Sequence, residues 1–445
     1  MASTYLSKTF SAGNQKTWTW SFWTKIPNYD ASNNKAIFSG YNDANNVMKI
    51  QFTNTDQFQS YGLSGGTLVC RLVTNQLFRD YNGWYHIVYS LDTTQATSTD
   101  RQKLWVNGEE VTSFSTRTDP SQNADLQINN TIGHQIGAAN NADHYSNCMV
   151  HCHFIDGTRY DASAFGETDA TSGIWKPKTS PSVTYGTNGF FLKFANSASL
   201  GTDSSGNGNN FTVNGSGTQT LDTPSNVFAT LNPLIPSSVT YSGGNLTAVI
   251  ASTNSTASTL GAGTGKFYFE TKLNDVQNTY IGICSERNTG ADFSGYRPLA
   301  ESALINATAG AIYIASGPTG LKGLPIMATN DIIGCAFDVD NGKLWWSQNG
   351  QWYTANSSTA TTITIADVEA GNNGYDFSSW TGQFVLGAFG TSTVANDISI
   401  NFGNGYFGTT AVSTPQSDSA GIGKFEYSVP SGYYALCTKN IATYG

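Results

Sequence analysis

The sequence predicts an all-β chain: two antiparallel β-sandwich, jelly-roll-like domains in tandem. Three observations carry this. Strong helix formers are scarce and only 12% of residues are charged, while Tyr, Phe, Trp, Thr and Val, which suit a pleated, half-buried surface, are plentiful. Apolar and small polar residues alternate along many short runs, which sends them to opposite faces of a strand. Turn dipeptides, above all Asn-Gly, separate those runs. No strand–helix–strand rhythm appears, so a parallel α/β fold is not expected.

Taken in order, Trp18-Thr19-Trp20-Ser21-Phe22 places its three rings on one strand face and its hydroxyls on the other. Ile87, Tyr89 and Leu91 alternate in the same way. Lys103 to Val106 runs into Asn107-Gly108 and out through Glu109-Glu110-Val111, the strongest short hairpin signal because both turn residues accept positive φ. Ala162 to Phe165 has room for one short helical turn. Between about 196 and 225 the pattern gives way to turn chemistry, Asp203 to Asn210 and then Asp222-Thr223-Pro224. The expected division is a first sandwich over 1–215, a linker over 216–225 and a second sandwich over 226–445. In the second, Lys266 to Leu273 alternates, Ile332 to Asp340 reads as a continuous buried strand, and Asn341-Gly342 and Asn349-Gly350 turn the chain around Lys343 to Ser347.

Composition excludes several functions. The net charge of −9 is spread thinly over 445 residues and no basic stripe is present, so no nucleic-acid partner is expected. No run approaches the ~20 apolar residues of a membrane span, so no membrane insertion is expected. The N-terminus lacks the apolar core of a signal peptide, which predicts a chain made in a cytosol and carried out only by an assembly. The six dispersed cysteines are too few for a disulfide framework and are read as reduced thiols.

Some stretches carry a resemblance to known families. Gly83-Trp84-Tyr85-His86-Ile87-Val88, Leu104 to Val111 and Phe154-Ile155-Asp156-Gly157 resemble the concanavalin A-like, laminin-G/pentraxin type of lectin sandwich over about residues 1–200. Gly265-Lys266-Phe267-Tyr268-Phe269-Glu270, Asp331 to Asp338 and Gly342 to Gly350 resemble the SPRY domain over about 226–445. Phe165-Gly166-Glu167, Gly173-Ile174-Trp175-Lys176-Pro177 and the closing Val429 to Thr438 are similar to stretches of bacteriophage virion proteins of the tail-fibre or appendage type. The resemblance implies a virion component that meets other virion proteins and a host-surface glycan or protein, as a homo-oligomer in the particle.

Candidate chemistry is sparse. Glycosidases of concanavalin-like fold need two carboxylates on one face; the Glu-x-Asp-x-x-Glu pattern is absent, so no enzyme is expected. Cys148-Met149-Val150-His151-Cys152-His153 has metal-ligand residue types. On a strand, however, Cys148 and Cys152 would lie roughly 13 Å apart, far beyond a shared zinc. Cys148, Val150 and Cys152 are therefore expected in the core, with Met149, His151 and His153 on the other face. Asp203 to Asn209 has the composition of a Ca²⁺ loop but lacks the bidentate Glu, so an Asx-rich turn is preferred. Asp43, Asn45 and Asn46 form a weaker case of the same kind. No cofactor is expected, Ca²⁺ being the one ion left open. Aromatics in turn-rich segments remain as binding candidates: Tyr296 and Arg297, Tyr375, and Trp380. The function expected is receptor binding at a virion surface, with a structural capsid or tail decoration subunit as the alternative and a glycan-degrading enzyme last.

Overall fold

The computed structural model describes residues 4–27, 32–288 and 290–445. The leader reading above begins in residues 1–3, which lie outside them. Strand accounts for 45% of the chain and helix for 5%. The chain divides into two compact units, residues 1–219 and 220–445, and both are sandwiches of antiparallel sheets.

In unit 1 an eight-stranded sheet runs in the order Phe114–Thr118, Thr67–Leu77, Gln57–Ser64, Asn46–Phe52, Lys35–Asp43, Gly133–Ile136, Tyr5–Thr9, Thr212–Asn214. It faces a six-stranded sheet of Phe190–Leu192, Cys148–Asp156, Thr17–Lys25, Trp84–Asp92, Gln102–Val106 and Glu109–Glu110. The alternating rings Trp18, Trp20 and Phe22 do enter the core between them, with Phe38, Ile50, Leu72 and Phe154. Trp20 stacks on Phe38 of the opposite sheet at 4.6 Å. The Asn107-Gly108 tip takes φ of 49° and 91°, the doubly left-handed turn whose twist matches the flanking strands.

One expected face assignment is wrong. The Cys148–Asp156 strand carries a bulge between Val150 and His153, with His151 at φ 50°. The extra residue reverses the alternation there. Met149 therefore packs on the core while Cys148 and Val150, opposite Lys25 and Trp23, do not. Beyond the bulge, Cys152 and Phe154 resume the core side. No disulfide joins any of the six cysteines, and Cys148 alone is not fully buried.

In unit 2 a ten-stranded sheet is built along Val239–Ser242, Thr247–Ile250, Asn396–Asn401, Lys266–Leu273, Ile332–Asp338, Lys343–Gln348, Gln351–Tyr353 and Thr362–Ile363. Tyr375–Asp376 pairs with Lys343–Gln348, and Tyr434–Ala435 adds a short parallel pairing on Lys266–Leu273. The facing six-stranded sheet is Asn254–Ala262, Val385–Thr391, Thr279–Ser285, Ser302–Asn306, Ala311–Ile314 and Gly317–Lys322. Phe267, Phe269, Phe337, Trp346, Phe389 and Phe402 fill the space between. Trp346 satisfies its buried indole N–H on the Ile281 carbonyl at 3.1 Å. Asn349-Gly350 makes a two-residue turn (φ 50° and 82°), whereas Asn341-Gly342 closes a four-residue one between paired Asp338 and Lys343.

A sandwich has two outward sheet faces, and those of the two units are treated differently. In unit 1 the chain after Asp156 folds back over the six-stranded sheet. Phe165, Tyr160, Trp175 and Tyr185 cover Val88, Trp105 and Ile155. This is why Thr19 and Ser21, on the nominally polar face, are fully buried. In unit 2 the C-terminal stretch, with Phe425, Tyr433 and Ala435, covers Tyr268, Ala336 and Trp345 of the ten-stranded sheet. The excursion through Phe293 and Tyr296 covers Tyr280, Cys284, Leu304 and Ala388 of the six-stranded one. Among the described residues, no apolar cluster lies on the fourth outward face, that of the eight-stranded sheet in unit 1.

Candidate binding face

The uncovered face follows from strand parity. Met48, Ile50 and Phe52 point into the core, as do Phe58, Cys70 and Leu72. Lys49, Gln51, Gln59, Tyr61, Arg71 and Val73 must then point out. Register sets them in a grid. Lys49 lies opposite Tyr61, which lies opposite Arg71; Gln51 lies opposite Gln59, which lies opposite Val73. Two inter-strand steps make the Lys49–Tyr61–Arg71 row about 10 Å long.

The row's two cations differ. Lys49 Nζ is neutralised by Asp143 at 2.7 Å, from the turn that borders the grid. Arg71 has no carboxylate partner among the described residues. The Gln59 amide satisfies its neighbours only with its oxygen towards Arg71, where it accepts from Nε at 2.8 Å and Nη2 at 2.9 Å. Gln51 and Gln59 are 3% and 4% exposed, so the guanidinium rests on a buried amide. A half-buried tyrosine between two cations offers an apolar ring face with polar groups on both sides, the combination that binds a sugar ring and its substituents.

Unit 2 holds the four residues singled out from the sequence. Tyr296 and Arg297 sit on the covered face of its six-stranded sheet. The Arg297 guanidinium lies 4.3 Å from the Tyr296 ring centre and donates to the Ala315 carbonyl at 3.2 Å. Tyr296 in turn packs 4.8 Å from Tyr280. Tyr375 pairs with Leu344 and is half-buried against the main core. Trp380, also half-buried there, lies 4.9 Å from Phe377. The structure thus distributes the four over two places. The chain on either side of them is drawn together by two glutamates: Glu301 accepts from the N–H groups of Thr381 and Gly382, and Glu286 from those of Gln383 and Phe384. Leu299 and Phe384 stay exposed beside these pins.

Groups with catalytic residue types have structural partners. Ser21 Oγ is 2.9 Å from His86 Nε2, the spacing of a nucleophile and its base. But the Trp175 indole donates to His86 Nδ1 at 3.0 Å. The neutral ring must therefore carry its proton on Nε2 and donate to the serine, the reverse of what a base requires. Burial, with His151 nearby, holds the His86 imidazole down to about 3. Glu270, raised to about 7 by burial, has the pKa of an acid catalyst. Its oxygens, however, are taken by the Glu426 and Tyr427 N–H groups and the Tyr268 hydroxyl, and it is fully buried. At the hairpin tip of unit 1 an open groove of about 430 Å³ holds Glu109 and Glu110. Glu110 is ion-paired to Lys103 at 2.8 Å, and the two adjacent side chains alternate in direction.

The Asx-rich loop is internally bonded. The Asp203 carboxylate accepts from the N–H groups of Phe191, Ser205 and Asn209 and from the Ser205 hydroxyl. Asn207 and Asn209 both donate to the Gly189 carbonyl. Asp43 is likewise bonded to Asn45 and Asn46.

Comparison with known proteins agrees with this architecture. Residues 2–151 match the family model described as the concanavalin A-like lectin/glucanases superfamily, and residues 266–393 match that of the SPRY domain. The SPRY domain of human HERC1 is 13% identical with a TM-score of 0.29, the match covering 38% of this chain and 96% of that one. A native heptameric SAP-like pentraxin from Limulus polyphemus is 12% identical with a TM-score of 0.27, over 36% of this chain and 72% of that one. The two family matches point to a binding or protein-interaction role.

Proposed function

We propose that this chain, one unit lectin-like and the other SPRY-like, is a non-catalytic bacteriophage virion surface protein, a tail-fibre or appendage subunit that binds host-surface glycan. The observation that carries the binding site is the one sheet face left without an apolar cover among the described residues, that of unit 1 with its Lys49–Tyr61–Arg71 row. Every other outward face carries an apolar cover, so its side chains are committed to packing. The virion assignment rests on the sequence resemblance of residues 165–177 and 429–438. In a particle, several copies acting together would raise a weak per-site affinity through effective concentration. No metal enters the mechanism, so chelation should leave binding unchanged. The test is binding of the full chain to a microarray of bacterial surface polysaccharides, with Tyr61→Ala as the control. Binding that Tyr61→Ala weakens supports the assignment; binding to no glycan, or binding indifferent to Tyr61, overturns it.

A second reading, a decoration subunit held by other virion proteins, is favoured by the exposed Leu299 and Phe384 on loops that Glu286 and Glu301 pin in place. Apolar residues on a rigid rim suit protein contact better than sugar contact. That reading predicts an interface at these loops in a reconstruction of the particle.

A further inference from the structure

Arg71 is the odd charge on the open face. A half-buried arginine in a protein of net charge −9 would ordinarily find a carboxylate, yet this one is seated on a neutral amide. That seating has consequences. Gln59 takes the Nε and Nη2 donors on one edge. Of the five N–H groups of a guanidinium, those remaining meet no acceptor among the described residues. The support is itself confined: Gln59 is buried, and so is Gln51 opposite it on the next strand. The side chain is thus held with its outer edge free, next to the Tyr61 ring. A guanidinium fixed in this way has already lost much of the rotamer freedom that binding would cost. Its free edge matches two oxygens of one anionic group. Asp143, which borders this face, is already engaged by Lys49 and does not compete.

We propose that the open face selects acidic glycans, with Arg71 gripping a carboxylate or sulfate substituent while the Tyr61 ring carries the sugar ring that bears it. This rests on the open face being the glycan site, and it adds the ligand's charge class and the residue that reads it. Lys49, neutralised by its acid, contributes hydroxyl contacts rather than anion capture.

The experiment measures binding of the full chain to matched oligosaccharides: an acidic one, the same chain with its carboxyl groups reduced to alcohols, and a sulfated one. Wild type is compared with Arg71→Gln, Arg71→Lys and Tyr61→Ala. The expected result is a preference of about tenfold or more for an acidic form over the reduced one. Arg71→Gln should abolish that preference, and Arg71→Lys should restore it only in part because a point charge lacks the fork. Comparison of the carboxylated and sulfated arms identifies the substituent. Thermal unfolding should show both wild type and Arg71→Gln folded at the assay temperature, the variant melting somewhat lower for the lost bonds to buried Gln59. Equal binding of acidic and reduced forms that still depends on Tyr61, or a preference that survives Arg71→Gln, overturns the inference and leaves the face as a neutral-sugar site. Failure to bind any arm overturns the glycan reading of the face itself.

Discussion

The two units solve one packing problem in different ways. Each encloses a core between two sheets, but unit 2 also covers both of its outward faces, with Tyr433 and Phe425 on one side and Phe293 on the other. Unit 1 covers only its six-stranded sheet, with Phe165, Tyr160 and Trp175. The strands Asn46–Phe52, Gln57–Ser64 and Thr67–Leu77 present Lys, Gln, Tyr and Arg outward instead. A polar face needs no cover, because its groups are solvated or bonded to one another. The contrast teaches where recognition is available: side chains under a cover are committed to packing, whereas on the open face the Tyr61 ring and part of the Arg71 guanidinium are left for a ligand.

The sharpest way to break this contrast is to compare substitutions under and outside a cover. Phe165→Ala empties a buried ring site and should cost about 3–5 kcal/mol. Tyr61→Ala on the open face should stay within about 1 kcal/mol. Urea unfolding of the two variants checks this, and equal losses would mean that the open face is packed after all.

The units also differ in titration. All five histidines lie in unit 1. Burial holds His86 and His134 down to about 3, and burial with Lys193 nearby holds His151 down to about 4. Their unfolded-state values lie near 6.5, so the unfolded chain takes up the protons first. The stability they contribute is full above pH 6.5 and drains as pH falls towards 4, by up to about 1.4 kcal/mol per pH unit per histidine. Glu270 in unit 2 does the opposite. Raised to about 7 from 4.5, it contributes stability that is full below pH 4.5 and lost as pH rises through 7. Thermal unfolding from pH 4 to 8 should therefore show a shallower acid loss in His86→Gln and a weaker loss on the alkaline side in Glu270→Gln. If both variants keep the wild-type profile, the assigned protonation states are wrong. A smaller effect separates the hairpin tips. Asn349→Ala and Asn107→Ala each lose a left-handed turn residue and the acceptor for a backbone N–H, that of Ile332 at 2.9 Å and that of His86 at 2.8 Å; the second bond is the more buried, so Asn107→Ala should cost more, by up to about 1 kcal/mol.

Much of the fold was legible. Trp18, Trp20 and Phe22 lie in the core that their alternation predicts, and Asn107-Gly108 and Asn349-Gly350 make the expected turns. The bulge at His151 was not legible, because nothing in Cys148 to His153 marks where an extra residue will be tolerated. The covers were not legible either, since Phe165 and Trp175 sit in turn-rich sequence and their contacts are long-range. The candidate face shows why sites on sheets are hard to find. Met48-Lys49-Ile50-Gln51, Phe58-Gln59-Ser60-Tyr61 and Cys70-Arg71-Leu72 each alternate openly, but only inter-strand register sets Lys49, Tyr61 and Arg71 side by side. Searching loops for aromatics drew attention to Tyr296, Arg297, Tyr375 and Trp380, whose rings and guanidinium pack against the apolar clusters of unit 2 or one another.

One measurement separates the open face from the covered ones most directly: binding of the full chain to bacterial surface polysaccharides by Tyr61→Ala and Trp380→Ala side by side. Tyr61→Ala should weaken binding by about tenfold or more while its melting temperature holds, and Trp380→Ala should bind as wild type does. Loss of binding in Trp380→Ala with full binding in Tyr61→Ala would contradict the account and move recognition to the rim of unit 2.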